Sequence, residues 1–163
     1  MTIIGTTRDP EALTLTLVTE LAASPARVWQ VWSDPRQLER WWGPPTWPAT
    51  FEQHDFVVGG RVSYYMTGPN GEKSRGWWQF LSIDEPRSLE FEDGFCGEGD
   101  EPAEGMPVTR ARVDLEPAGG GTRMTVRSSY ASREQMQQVL DMGVVEGMSS
   151  AMAQIDDVLT VPA

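Results

Sequence analysis

His54 is the one histidine of this 163-residue chain, and imidazole is the side chain whose unperturbed pKa lies nearest neutrality, so it is the first candidate for a general base. A base needs an orienting partner, and neither Glu52 nor Asp55 is identifiable as one, because adjacent residues of a strand face opposite ways. No Ser or Cys stands in a nucleophile-elbow pattern. A structural or surface histidine therefore outweighs a catalytic one. Cys96 has no basic neighbour to lower its pKa and reads as an ordinary thiol. Glu92, Asp93, Glu98, Asp100, Glu101 and Glu104 do not have the spacing of a calcium loop and lie among glycines, which reads as a solvated acidic loop. With one cysteine and one histidine, a Cys/His zinc site and an internal disulfide are both excluded, and no metal or cofactor is implied.

The aromatic residues carry a different chemistry, that of a pocket wall. The chain has seven tryptophans, each a large apolar face with one N–H handle. If Val62, Tyr64 and Met66 face inward on one strand, then Trp78, Phe80 and Phe91 on neighbouring strands, with Met124, Val126 and Tyr130 later, line one concave wall, and Trp32 and Trp42 close an end. The competing reading is that these side chains are simply core, since any half-buried sheet shows such stripes. Tyr64 and Tyr130 would be the polar tips able to orient a ligand.

The segment facing that wall is Ser132 to Leu159, read as a single long amphipathic helix capped by Ser132. Met136, Leu140, Gly143, Val144, Gly147, Ala151, Ile155 and Val158 recur at three- and four-residue intervals. Gly143 and Gly147 sit one turn apart on the apolar stripe, where each glycine costs about 1 kcal/mol relative to alanine. Either side chains of the sheet press into the groove they leave, or they leave a hollow between helix and sheet where a small apolar molecule can lie.

The elements between are legible from period and punctuation. Met1 to Glu11 reads as a loose arm, and Leu13 to Leu21 alternates as the first strand. Ser24-Pro25 and Asp34-Pro35 open two short helices bearing Trp29, Trp32, Trp41 and Trp42, ended by Gly43-Pro44-Pro45. Strands follow at Thr50 to Val58, Arg61 to Thr67, Ser74 to Ile83, Ser88 to Phe95, Val108 to Glu116 and Thr122 to Tyr130. Gly59-Gly60, Pro69-Asn70-Gly71, Asp84-Glu85-Pro86 and Gly119-Gly120-Gly121 punctuate them, and Cys96 to Pro107 is an open loop. Arg110 and Arg112 fall on the outward face. The expected fold is α+β: a curved antiparallel sheet of about seven strands wrapped around a long C-terminal helix, with two short helices after the first strand. One domain accommodates the whole chain, 1–163.

Composition narrows the partners. Thirteen basic against twenty-four acidic residues give a net charge of -11, which repels nucleic acid and anionic membrane surfaces. No run approaches a membrane span, Met1 to Pro10 is unlike a signal peptide, and a cytoplasmic protein is expected. A surface pair of Trp77 with a neighbour is a candidate homodimer patch, although surface aromatics also occur singly.

The order of elements, together with Ser24-Pro25-Ala26-Arg27-Val28-Trp29, Ser33-Asp34-Pro35, Trp41-Trp42-Gly43-Pro44, Asp55 with Gly59-Gly60, Gly68-Pro69-Asn70-Gly71, Gly76 with Asp84-Glu85-Pro86, and Gly119-Gly120-Gly121-Thr122-Arg123, resembles the START-like or SRPBCC superfamily and its helix-grip fold. Within it the chain is similar to bacterial relatives of the C-terminal domain of heat-shock-protein ATPase activators. The resemblance implies a cavity between sheet and helix that takes a hydrophobic molecule. Two departures stand out: Val57 where the family often has Arg, and Met148 after Gly147 where it often has Trp, both leaning toward an apolar, adaptable interior. Three functions follow as expectations. The first is binding of a small hydrophobic or aromatic molecule, lipid- or polyketide-like, at Trp32, Trp42, Tyr64, Met66, Trp78, Phe80, Phe91, Tyr130, Met136, Leu140, Gly143, Val144 and Gly147. The second is a cyclase- or hydrolase-like enzyme on an aromatic or polyketide substrate, which needs a titratable group inside the cavity. The third is a co-chaperone-like module with a chaperone partner.

Overall fold

The computed structural model describes residues 2–160 apart from 98 and 100, with the backbone alone for residues 2–4. Eight strands form one antiparallel sheet: β1 (Thr2–Asp9), β2 (Thr14–Leu21), β3 (Ala49–His54), β4 (Arg61–Thr67), β5 (Lys73–Asp84), β6 (Ser88–Phe95), β7 (Val108–Ala118) and β8 (Gly121–Ser129), in the order β1-β2-β8-β7-β6-β5-β4-β3. Period-two alternation puts Leu15, Leu17, Thr19 and Leu21 of β2 and Thr122, Met124, Val126 and Ser128 of β8 in the interior. Arg110 and Arg112 face outward and bridge Glu90 at 3.0 and 2.6 Å.

Between β2 and β3 the chain crosses to the far edge of the sheet through two short helices, α1 (Pro25–Ser33) and α2 (Pro35–Leu38). Ser24 caps α1 by accepting from the Arg27 N–H at 3.3 Å, and Asp34 caps α2 by accepting from Arg36 N–H at 2.9 Å. Proline at the first helical position lacks a donor that would have no partner there, so each cap and each Pro cooperate. The two helices bury Val28, Trp29, Val31, Trp32 and Leu38.

Three expectations are corrected. The residues read as a loose arm form the edge strand β1, paired with β2 from Thr2↔Glu20 to Asp9↔Thr14, so the sheet has eight strands. β1 lacks a clean alternation because an edge strand is held by ladder bonds as much as by a buried face. Strand β3 stops at His54, because Asp55 to Gly60 turns: the Gly60 N–H donates to Val57 O at 2.8 Å, and Gly59 takes φ +82°. Val57 is therefore 61% exposed and does not shape the interior as its place in the motif implied.

The third correction concerns the C-terminal segment, which is three helices, α3 (Arg133–Asp141), α4 (Val144–Met152) and α5 (Ile155–Leu159). The break is Gly143, at φ +84°, a left-handed conformation that glycine adopts freely and that no helix interior contains. The α4–α5 junction is milder, since Ala153 and Gln154 keep right-handed helical angles. Packing holds the pieces on the concave face: Met136 and Val139 from α3, Ala151 and Met152 from α4, Ile155 and Val158 from α5 are all buried. Arg27 of α1 donates to Val158 O at 2.9 Å, and Gln154 donates to Gly43 O at 2.7 Å, tying the last helices to the first pair. No helix among the described residues is long and apolar enough to cross a membrane.

Candidate functional site

A hollow of about 280 Å³ lies between the sheet and the α3–α4 segment, opening to solvent on one side. Its floor is built from four strands of the sheet. Tyr64 and Met66 come from β4, Phe91, Asp93 and Phe95 from β6, Thr109 and Ala111 from β7, and Val126 and Ser128 from β8, with Tyr130 just beyond. Trp32 of α1 and Trp41, Trp42 and Pro44 after α2 close one end. The roof is Val139, Met142, Gly143, Val144, Gly147, Met148, Ala151 and Met152. Met142 is 52% exposed and stands at the opening.

The two glycines of the roof have separate jobs. A Cβ at Gly147 would meet nothing within 4 Å, so no side chain presses into the space it leaves. Gly143 supplies the left-handed turn, and a Cβ there would approach only Glu146 Oε2, at 3.8 Å. The hollow is the reading that suits Gly147, whereas Gly143 is a helix break, which neither reading of the pair contained.

Inside, one polar group stands out. Asp93 is half-buried in β6, and its Oδ1 accepts a hydrogen bond from the Tyr64 hydroxyl at 3.3 Å. Tyr64 reaches it by lying across β5 at Gly76, where any Cβ would collide with the phenol ring. Phe51 stacks on the Tyr64 ring at 5.0 Å and Trp42 meets it edge-on at 6.2 Å, so its position is fixed from both sides. Burial pushes the Asp93 carboxyl up to about 7, partly opposed by the Tyr64 hydrogen bond. Burial, then the Asp93 charge, raises Tyr64 well above the ordinary phenol range. The indole N–H groups of Trp42 and Trp78 offset this only in part, and neither closes a hydrogen bond. Tyr130 is pushed up to about 12 by burial, partly offset by a hydrogen bond with Ser128, and it too feels the Asp93 charge. Among the described residues, Asp93 is the only carboxylate lining the hollow, and no Arg, Lys or His lines it.

Of the residues proposed from sequence, Trp32, Trp42, Tyr64, Met66, Phe91, Tyr130, Gly143, Val144 and Gly147 line this hollow. Trp78, Phe80, Met136 and Leu140 are not among the lining residues. Trp78 is fully buried and stacks on Phe91 at 4.1 Å, behind the wall, and Phe80 lies deeper, 5.1 Å from Phe56. Met136 is buried in the core, and Leu140 packs against that core from α3, before the break at Gly143. His54 is also elsewhere: its ring stacks on Phe56 at 5.6 Å and meets Phe51 and Phe80 edge-on. Burial lowers its pKa, opposed by the backbone of Trp32 and of His54 itself, and its Nε2 is buried without a partner. It has no access to the hollow.

The sequence groups Asp93 with an acidic loop, and strand phase explains why the structure places it elsewhere. Leu89 and Phe91 point inward on β6, and two residues further on Asp93 keeps their phase. Of the other acids in that series, Glu98 and Asp100 lie outside the described residues, and Glu101 and Glu104 are exposed. Trp77, offered as a surface patch, is only 7% exposed; it packs over Gly94 on the other face of the sheet, with the Arg61 guanidinium 5.7 Å from its ring.

Residues 22–160 match the family model described as activator of Hsp90 ATPase homolog 1-like protein. The chain belongs to that family. Among solved structures, this activator-homolog chain is similar to a protein from Arthrobacter aurescens, with 56% identity, 99% of this chain and 94% of that one covered, and a TM-score of 0.94. It is also similar to a protein from Mycobacterium smegmatis, at 49% identity, 99% coverage of each chain and a TM-score of 0.90. A protein from Nitrosomonas europaea is more distant, at 27% identity over 92% of this chain and 96% of that one, with a TM-score of 0.80. No functionally curated protein matches the chain. The family's helix-grip architecture, a curved sheet against a C-terminal helical segment, is the one observed here.

Proposed function

We propose that this family member binds a small, largely apolar molecule of aromatic shape in the hollow between the sheet and the α3–α4 segment, with a polar end directed at Asp93 and Tyr64. The observation that carries this reading is an unfilled space of about 280 Å³ walled by Trp, Phe, Val and Met side chains, with the Asp93 carboxyl among its described lining. Since a cavity of about 150 Å³ holds one benzene, this space suits two or three fused rings. The expected result is that N-phenyl-1-naphthylamine, a neutral dye that brightens in apolar surroundings, binds the protein and that Gly147→Leu abolishes the signal without unfolding it. A wild-type protein that leaves the dye dark would refute the reading.

A second reading, acid–base catalysis on the bound molecule, is favoured by the same carboxyl, which titrates near neutrality beside a phenol. It predicts turnover of 5-nitrobenzisoxazole, whose isoxazole ring opens once a base removes the proton on C3. The C–H electron pair completes the nitrile as the N–O bond breaks, the proton stays on the carboxyl, and the single product is 2-cyano-4-nitrophenolate. A rate that Asp93→Asn leaves unchanged would sink it.

A further inference from the structure

The lining of the hollow has a charge pattern that narrows the ligand further, on the footing of the binding reading above. Asp93 presents a carboxyl to a cavity that is otherwise uncharged, and among the described residues no basic side chain lines that cavity to balance it. Tyr64 engages Oδ1, and the other carboxylate oxygen makes no hydrogen bond among the described residues. The surroundings are aromatic: Trp42, Tyr64, Phe91 and Tyr130 line the same hollow, with the Trp42 ring 6.2 Å from Tyr64 and 6.4 Å from Phe91. A carboxylate flanked by aromatic rings is complementary to a cation, which gains a charge-assisted hydrogen bond from the first and attraction to the π faces of the second. An anion would meet the same carboxylate with nothing to neutralise it. The whole surface acts in the same sense, since a net charge of -11 attracts cations and repels anions before they reach the opening.

We infer that the molecule held in the hollow is a lipophilic organic cation, an aromatic or polycyclic amine whose protonated nitrogen pairs with Asp93, and that fatty acids and other apolar anions are excluded. Among the described residues that line the hollow, Asp93 is the only one that titrates in the working range: Tyr64 from β4 and Tyr130 beyond β8 are phenols with raised pKa, Thr109 of β7 and Ser128 of β8 are neutral hydroxyls, and the roof residues carry no ionisable group.

Three probes of one size separate the possibilities: 2-(aminomethyl)naphthalene, 2-(hydroxymethyl)naphthalene and 2-naphthoic acid, titrated calorimetrically into the wild-type protein and Asp93→Asn at pH 8. The amine is expected to bind at least about tenfold more tightly than the alcohol, and the acid not measurably. In Asp93→Asn the amine loses that advantage while the alcohol keeps its affinity. Because the carboxyl titrates near 7, the amine's affinity for wild type is expected to lose most of that advantage between pH 8 and pH 5.5, a fall of about sevenfold for a preference of about tenfold, with the alcohol's unchanged. The inference is overturned if the acid binds as tightly as the amine, if the alcohol matches the amine, or if the amine's preference survives in Asp93→Asn. In each of those cases the binding reading itself stands. If none of the three binds, and N-phenyl-1-naphthylamine also fails, it is the binding reading that falls, and this inference with it.

Discussion

Replacing Asp93 by Asn should make the protein more stable at alkaline pH, the reverse of the usual effect of altering a buried hydrogen-bonded residue. The sign follows from linkage. The folded-state pKa of Asp93, about 7, is raised from the ordinary 3.8, so the folded protein holds a proton that the unfolded chain releases. Stability from this group is full below the unfolded pKa and is lost as pH climbs from 3.8 to 7, after which the loss is constant. At 1.36 kcal/mol per pKa unit the ceiling is about 4 kcal/mol. The carboxyl retains accessible surface, so water screens part of this, and a gain of about 1–2 kcal/mol is expected for the neutral amide at pH 8. The amide oxygen still accepts the Tyr64 proton, so the hydrogen bond survives the exchange. In thermal melts the variant should unfold about 3–6 °C above wild type at pH 8, and more than about half of that difference should vanish at pH 5. A variant less stable than wild type at pH 8, or a difference of the same size at both pH values, would refute the placement of Asp93 in an apolar, uncompensated site.

Other perturbations probe the roof and the floor separately. Gly147→Ala is expected to stabilise the protein by about 0.5–1 kcal/mol in chemical denaturation, because its new methyl meets nothing within 4 Å and the helix gains propensity. Gly143→Ala is expected to cost about 1–2 kcal/mol, because φ +84° is strained for any residue with a Cβ. Tyr64→Phe removes the hydrogen bond that holds the Asp93 pKa down, so a carboxyl titration followed by NMR should move above that of the wild type. Gly76→Ala should displace the Tyr64 ring, seen as a loss of near-ultraviolet circular dichroism and a destabilisation of about 1–3 kcal/mol.

What could be read from the sequence was what period and punctuation encode. The alternation of β2, β4, β6 and β8, the Ser-Pro and Asp-Pro helix starts and the glycine turns placed almost every element, because each is a local signal. β1 escaped because it is an edge strand held by pairing with β2, a contact that no local pattern records. The break in the C-terminal segment escaped for a subtler reason: Gly143 keeps the helical phase of the apolar stripe, so the periodicity runs straight through a residue whose backbone does not. The site was half legible. Aromatic residues with strand period could be assigned to one wall, but the depth of Trp78 and Phe80 depends on which row of the curved sheet the helices cover. Asp93 was hidden by its company, since a carboxylate among Glu92 and the acidic loop looks solvated until strand phase is put ahead of charge.

The central claim, that the hollow holds a small apolar molecule, is tested most directly by native mass spectrometry of protein purified without organic additives, followed by mild denaturation to release what it carries. The account predicts a bound species of reproducible mass, of about two or three fused rings in size, absent from Gly147→Leu prepared in the same way. A species retained equally by Gly147→Leu, or one too large for a space of about 280 Å³, would contradict it.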